Sequence, residues 1–291
     1  MENLIKFKYK MLGIVTLYNP DVNEAAENIM RYAPWLDTLI VWDNSPLERN
    51  IQQQLSPLLS DVSTKVIWHG TGENLCIAPA INYAWQYARE TQHDFLLIMD
   101  QDSKWEDFAA YRQQIETLWA DNKGFVFCPY ATMPRAKRSS EEITFLRSFI
   151  NSGTVIPLSI LTEVGGADEA LPLDAVDHDL SIRIQKAGYK IACLHRFVLA
   201  HHLGNPYHSK WLPMTTLNYN AFRTYSILRS YIILFRKHWS WFTFTEKWVI
   251  FRGILFARLL KILIIEDDKL EKTKGIFKAI KDGLTYKLHN K

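Results

Sequence analysis

Within the first hundred residues four apolar, β-branched runs, MLGIVTLY (residues 11–18), TLIVWDN (38–44), KVIWHG (65–70) and DFLLIMD (94–100), alternate with three stretches of helical periodicity. The helical stretches fall at 23–31, 51–59 and 78–90, and turn formers such as Asn19-Pro20-Asp21 punctuate the alternation. A strand followed by a helix and another strand usually pairs in parallel through a right-handed crossover, so this spacing predicts an α/β fold with a mostly parallel sheet flanked by helices. Further runs at 125–129 and 154–158 extend the sheet, and the polar MPRAKRSSEE between them reads as a loop. With 291 residues, 48% of them apolar, the chain can bury a substantial core and is neither disordered nor fibrous.

Folds of this kind bind ligands beyond the carboxyl ends of their strands. That directs attention to FLLIMD, which runs into Asp100-Gln101-Asp102, and to LPLDAVDHDLSIR, where Asp174, Asp177, His178 and Asp179 stand close together. Two strand-end carboxylates can hold a divalent cation through oxygen ligands, and the second cluster, opening a helix, can supply a base. Each has a plainer use: Asp102 or Ser103 as a turn or helix cap, and Asp43-Asn44-Ser45 as an Asx turn rather than a contact to a nucleobase or ribose. Of the adjacent His201 and His202, both of which could be ordinary surface histidines, only one should face a site. Asp177 and Asp179 lie about 200° apart on a helix and therefore serve different purposes.

Charge is unevenly spread: residues 211–291 hold 15 Lys/Arg against 6 Asp/Glu, whereas residues 1–210 hold 19 against 25. This predicts a catalytic domain over 1–210 and a basic amphipathic helical region over 211–291 with different partners. The tail interleaves aromatics and aliphatics with Arg229, Arg236, Lys237, Arg252, Arg258 and Lys261. Such a pattern disfavours a spanning helix and a processive membrane-embedded synthase. Two uses stay open: amphipathic helices on an anionic membrane face, or a subdomain that packs on the body or forms a homodimer interface. Nucleic acid is not expected as a partner, because the basic residues alternate with Leu259, Leu260, Ile262 and Leu263. Cys76, Cys128 and Cys193 are far apart and odd in number, which suits a reducing compartment better than a disulfide framework or a zinc knuckle. The first residues lack an apolar leader with a small-residue cleavage site, and the expected location is cytoplasmic.

The ordered set VTLYNP, VWDNS, NLCIAPAIN, MDQDS, NSGTVI, VGGADEALPLDAVDHDLSIRIQKAGYKI and HHLG resembles the rhamnosyltransferase-like branch of the family-2 inverting glycosyltransferases, over roughly residues 11–205. The resemblance implies a GT-A fold, to which the tail read above adds a C-terminal helical extension, together with a nucleotide-diphosphate-sugar donor, a Mg²⁺ or Mn²⁺ ion, and transfer with inversion. It implies that Tyr18, Asn19 and Asp43 hold the nucleobase and ribose, and that Asn74 and Asn82 lie along the donor groove. Asp100 and Asp102 would frame the sugar nucleotide, Asp102 nearer the metal. Asp177 would be the catalytic base, and His201 would approach the diphosphate or metal. Cys76 stands where the family usually has glycine, Leu180 and Ala167 where it often has aromatics, and Pro172-Leu173 replaces an aromatic-apolar pair; these departures bear on the sugar more than on the chemistry.

Rhamnose therefore leads among several hexoses, carried on dTDP or UDP and passed to a glycan acceptor. A lipid-linked acceptor, in bacterial cell-surface polysaccharide synthesis at the inner face of the plasma membrane, is expected. Two other classes compete. A nucleotidyltransferase would carry a glycine- and basic-rich loop after its first strand, where this chain reads VTLYNPDVNE. A catalytically inactive glycosyltransferase-like binding or scaffold module would be marked by loss of the base or metal residues, which are present here.

Overall fold

A computed structural model describes residues 6–132, 138–201, 207–208 and 215–288. They belong to two compact units, one of Met1–Ala167 with Leu180–His202 and one of Asp168–Asp179 with Leu203–Lys291.

The first unit opens with β1 (Met11–Leu17), α1 (Val22–Met30), β2 (Thr38–Asp43), α2 (Ile51–Leu55), β3 (Lys65–Gly70), α3 (Ala78–Glu90) and β4 (Phe95–Asp100). The predicted alternation is thus present, with residues 56–59 continuing α2 as a 3-10 turn. Asp21 starts α1 by accepting from the Glu24 amide, one of the orphan donors of a helix start. There follow β5 (Ser103–Trp105), α4 (Phe108–Asp121), β6 (Phe125–Thr132), β7 (Ile143–Leu146), β8 (Thr154–Pro157), α5 (Leu158–Val164), α6 (Val176–Lys186), whose first turn belongs to the second unit, and β9 (Lys190–His201).

The strands form one sheet in the order β3-β2-β1-β4-β8-β6-β9-β5, with β7 also on β9. The first four pair in parallel, as do β6 and β9. β8 runs antiparallel to β4 and β6, and β5 and β7 run antiparallel to β9. The far half of the sheet is therefore mixed, because an apolar run such as TVIP reads the same in either direction. Met11, Leu12, Ile14 and Val15 of β1 and Phe95–Met99 of β4 are buried, as befits strands covered on both faces.

Only Gln101 and Asp102 separate β4, in the middle of the sheet order, from β5 at its far edge. Three peptide steps reach no further than about 11 Å, so the sheet has to curl until its edge returns to its middle. The Trp105 indole donates to the Met99 sulfur at 3.3 Å across this closure.

The second unit contains the antiparallel pair β10 (Tyr207–His208) and β11 (Thr215–Thr216), then α7 (Ala221–Lys237), α8 (Phe244–Phe251), a π-helical segment (Arg252–Ala257), α9 (Arg258–Ile264) and α10 (Lys269–Thr285). Asn220 caps α7 through the Arg223 amide. Leu228, Ile262, Ile276 and Ala279 form its apolar centre, with Ile254, Leu255 and Leu259 packed against them. Glu266, fully buried, is held by Lys272 at 3.1 Å and Arg258 at 3.6 Å, which compensates the cost of burying a charge. Among the described residues no helix is long and apolar enough to cross a membrane.

Candidate active site

The parallel register carries Tyr18, Asp43 and Asp100 to one edge of the first unit's sheet, since Leu17 pairs with Asp43 and Thr16 with Asp100. The loops leaving these strands are tied to one another. The Tyr18 amide donates to Gln101 Oε1 at 2.7 Å, Gln101 Nε2 returns to the Tyr18 carbonyl at 3.3 Å, and the buried Asn28 donates to the Gln101 carbonyl at 3.1 Å. Asn19, in the left-handed region that Asn tolerates, donates its amide to Ser45 Oγ at 2.8 Å. The Asx turn is there as well, the Ser45 amide bonding to Asp43 Oδ1 at 2.8 Å. Tyr18 is left half exposed.

Next to this edge, Asp100, Asp102 and His201 offer ligand atoms that all lie within 4.8 Å of one another, each residue half-buried. Three elements converge to make the group: Asp100 ends β4, Asp102 lies in the two-residue link, and His201 ends β9 opposite Ser103 in the ladder. Ser103 Oγ is 2.8 Å from His201 Nδ1, and the Asp100 amide donates to Ser152 Oγ at 3.1 Å. Beneath them the chain passes through Gly153 at φ +79°, where a Cβ would come within 2.7 Å of the Pro129 ring. Two carboxylates and an imidazole form a donor set suited to Mn²⁺ or Mg²⁺, and Ser103 is placed to orient the imidazole by its hydrogen bond. His202, the neighbour in sequence, lies outside the described residues.

Asn74 and Asn82 are held in local bonds. Asn74 Oδ1 accepts from the Cys76 amide at 3.0 Å. Asn82 grips the Ala167 backbone with both ends of its carboxamide, at 3.1 and 2.8 Å, beside Gly166, whose φ of +74° leaves no room for a Cβ against Asn82 and Trp85. The buried Asn44 accepts from the Trp42 indole and the Leu75 amide and donates to the Cys76 carbonyl, which fastens the loop of residues 74–76 to the end of β2. Cys76 itself sits at φ +64°, a left-handed backbone position that favours glycine.

The second acidic cluster belongs to the second unit. Asp174, also at positive φ, is 3.3 Å from the Arg223 guanidinium. Asp177, half-buried in the first turn of α6, accepts from the His178 amide at 2.8 Å; burial and the neighbouring Asp174 push its carboxyl up to about 6. Burial and the Asp177 charge likewise raise the Tyr231 hydroxyl. Asp179, fully buried, faces away from that environment and pairs with His238 Nε2 and Lys237 Nζ, each at 2.8 Å, while Lys237 also reaches Asp168 at 2.6 Å. Asp177 and Asp179 sit in different surroundings. Tyr231 and His238 are not singled out by the sequence, and neither the cap reading of Ser103 nor the basic tail around Lys237 points to these contacts, because their partners lie some fifty or more positions away.

No family model matches the chain, and no curated protein matches it. Solved structures do. GalNAc-T7 with UDP, GalNAc and Mn²⁺ aligns with 81% of this chain at TM-score 0.60 and 11% identity, the match spanning 48%, about half, of that longer chain. The mannosyltransferase PcManGT of Pyrobaculum calidifontis, with GDP-Man and Mn²⁺, aligns with 97% of this chain and 77% of its own at TM-score 0.55 and 13% identity. S. aureus TarS 1–349 with UDP-GlcNAc covers 94% and 80% at TM-score 0.52 and 14% identity. At such identities the likeness is one of architecture, and it is specific: the chain has the GT-A fold of glycosyltransferases.

Proposed function

We propose that this protein is a metal-dependent inverting glycosyltransferase that moves a hexose from a nucleotide-diphosphate sugar to a hydroxyl of a glycan acceptor. The observation that carries this reading is the convergence of Asp100, Asp102 and His201 at the strand-end edge of a GT-A fold. Those three would hold Mn²⁺ or Mg²⁺, which when bound neutralises the negative charge that gathers on a departing diphosphate. Around it, Tyr18, Asn19 and Asp43 hold the nucleobase and ribose, and Asn74 and Asn82 shape the groove mainly by fixing its loops.

Asp177 is the base. A carboxyl with a pKa of about 6 is ionised at neutral pH yet basic enough to take a proton from an attacking hydroxyl within hydrogen-bond reach. The acceptor oxygen bonds to the anomeric carbon as the bond from that carbon to the diphosphate oxygen breaks and the electron pair leaves with the diphosphate. The acceptor proton ends on Asp177. A single displacement of this kind inverts the anomeric centre. The sequence resemblance favours rhamnose on dTDP or UDP, a lipid-linked acceptor and a role in bacterial cell-surface polysaccharide synthesis at the inner face of the plasma membrane. The structural neighbours add GDP to the nucleotides to be tried.

Thermal stabilisation by dTDP, UDP, GDP and CDP with Mn²⁺ or Mg²⁺, repeated with EDTA, tests the donor half. A metal-dependent shift for one nucleotide supports the reading and names the donor series, whereas no shift with any of them favours an inactive binding module. Preference for a nucleoside triphosphate over every diphosphate would point to a nucleotidyltransferase. For the chemistry, Asp177→Asn is expected to abolish transfer with nucleotide affinity near wild type; retained turnover moves the base elsewhere.

A further inference from the structure

Residues 244–264 run as one continuous helix through α8, the π segment and α9. A capping box opens it, Thr243 and Glu246 exchanging side-chain and backbone bonds. Its inner side, Ile254, Leu255, Leu259 and Ile262, packs on Leu228 and Ile276. Its outer side carries Phe244, Trp248, Phe256, Leu260 and Leu263, exposed by 85, 54, 53, 52 and 52%.

On an unbroken α-helix Leu263 would sit about 100° round from Phe244. The wider turn over Arg252–Ala257 takes up that offset, so the apolar row stays on one side along the whole length. An exposed row of this kind marks a surface that meets something other than water.

Charge says what it meets. The same helix bears Lys247, Arg252 and Lys261 against Glu246, while Arg258 turns inward to Glu266 and Thr224. On α10, Leu270, Phe277 and Leu284 recur every seven residues and are exposed by 67, 66 and 58%, beside the exposed Lys278 and Lys281, with Lys274 paired to Glu271 at 2.8 Å. Trp239, itself 62% exposed, lies under the Lys247 ammonium at 3.8 Å, the pairing of aromatic ring and cation suited to a water–lipid boundary. A second copy of this chain would bring like charges together, whereas an anionic lipid surface accepts both the row and the cations.

We propose that the helix of residues 244–264 lies flat in the interface of an anionic bilayer with Phe244, Trp248, Phe256, Leu260 and Leu263 immersed. The use of that docking, to bring the enzyme to a lipid-linked acceptor, rests on the glycosyltransferase reading; the docking itself does not.

Co-sedimentation of the full chain with phosphatidylcholine vesicles, with and without phosphatidylglycerol, tests it at low and high salt. Wild type is expected to sediment with the anionic vesicles and to be released by salt, and Leu260→Glu and Trp248→Glu each to weaken binding about tenfold or more. Both substitutions sit on exposed positions and should keep the wild-type melting temperature and the metal-dependent nucleotide shift, so loss of docking and loss of the enzymatic reading are separate outcomes. Wild type remaining in the supernatant overturns the proposal, as does equal sedimentation of the variants. A dimer in light scattering that Leu260→Glu splits also overturns it and makes the row a homodimer face.

Discussion

Ser103 Oγ stands 2.8 Å from His201 Nδ1 across a ladder in which the two residues are register partners. A hydrogen bond at Nδ1 fixes the orientation of the imidazole and, under the proposed metal site, leaves ligation to Nε2. Ser103→Ala is therefore expected to weaken Mn²⁺ binding about tenfold or more and to leave the metal-free melting temperature nearly unchanged. Calorimetric titration reads this directly, and equal affinities would remove the serine from the metal site.

The Asp177 carboxyl, held at about 6, has pH consequences of opposite sign. With Asp177 as the proposed base, transfer would need the ionised form, so kcat/KM should rise with pH through about 6 and level off above it. Stability goes the other way. The unfolded carboxyl titrates near 3.9, so between about 4 and 6 the folded state holds the proton more tightly, and the stabilising contribution present below that window is lost as pH rises through it. Asp177→Asn resembles the protonated group at all pH values and should gain about 2 kcal/mol on wild type between pH 4 and pH 7. Denaturant melts of the two proteins at both pH values measure the difference; a constant gap would return Asp177 to an ordinary carboxylate.

Asp179 is a buried anion answered by Lys237 and His238. Asp179→Ala opens a void and removes the buried carboxylate that Lys237 Nζ and His238 Nε2 both reach, leaving Lys237 its contact to Asp168, at a cost of about 3 kcal/mol or more. The urea midpoint should drop with little change in slope, and a drop below about 1 kcal/mol would show that the pair is not maintained in solution.

Cys76 occupies a left-handed backbone position. Cys76→Gly relieves about 1 kcal/mol of strain and gives up a similar amount of buried side chain, so it should be close to neutral. Cys76→Val, β-branched at the same φ, should cost about 2 kcal/mol. Matched thermal melts rank the two, and a valine variant as stable as the glycine variant would contradict backbone strain at this position.

The first half of the sheet was legible because hydrophobic period and turn residues act locally: β1 through β4 and the helices between them lie where the runs MLGIVTLY to FLLIMD place them. β5 and β7 escaped because SKW and ITFL are too short to show a period and exist through pairing with β9. Of the site, the carboxylates at the strand end could be read because their chemistry is in the side chain itself. What could not be read is distance: nothing local joins Ser103 to His201, Asn82 to Ala167, or Asp179 to His238, and each pairing depends on how far the chain returns on itself.

The two-residue step from β4 to β5 makes this sheet a hoop rather than a fan. In a fan, thermal breathing or a substitution in a middle strand would splay the edges and carry His201 away from Asp100. Here a covalent stitch of Gln101 and Asp102 fastens rim to centre, so the spacing of the ligand trio is set by bond lengths on one side and by a single ladder on the other. Loops on β1, β2 and β3 can then change in length and composition while the spacing of Asp100, Asp102 and His201 stays the same.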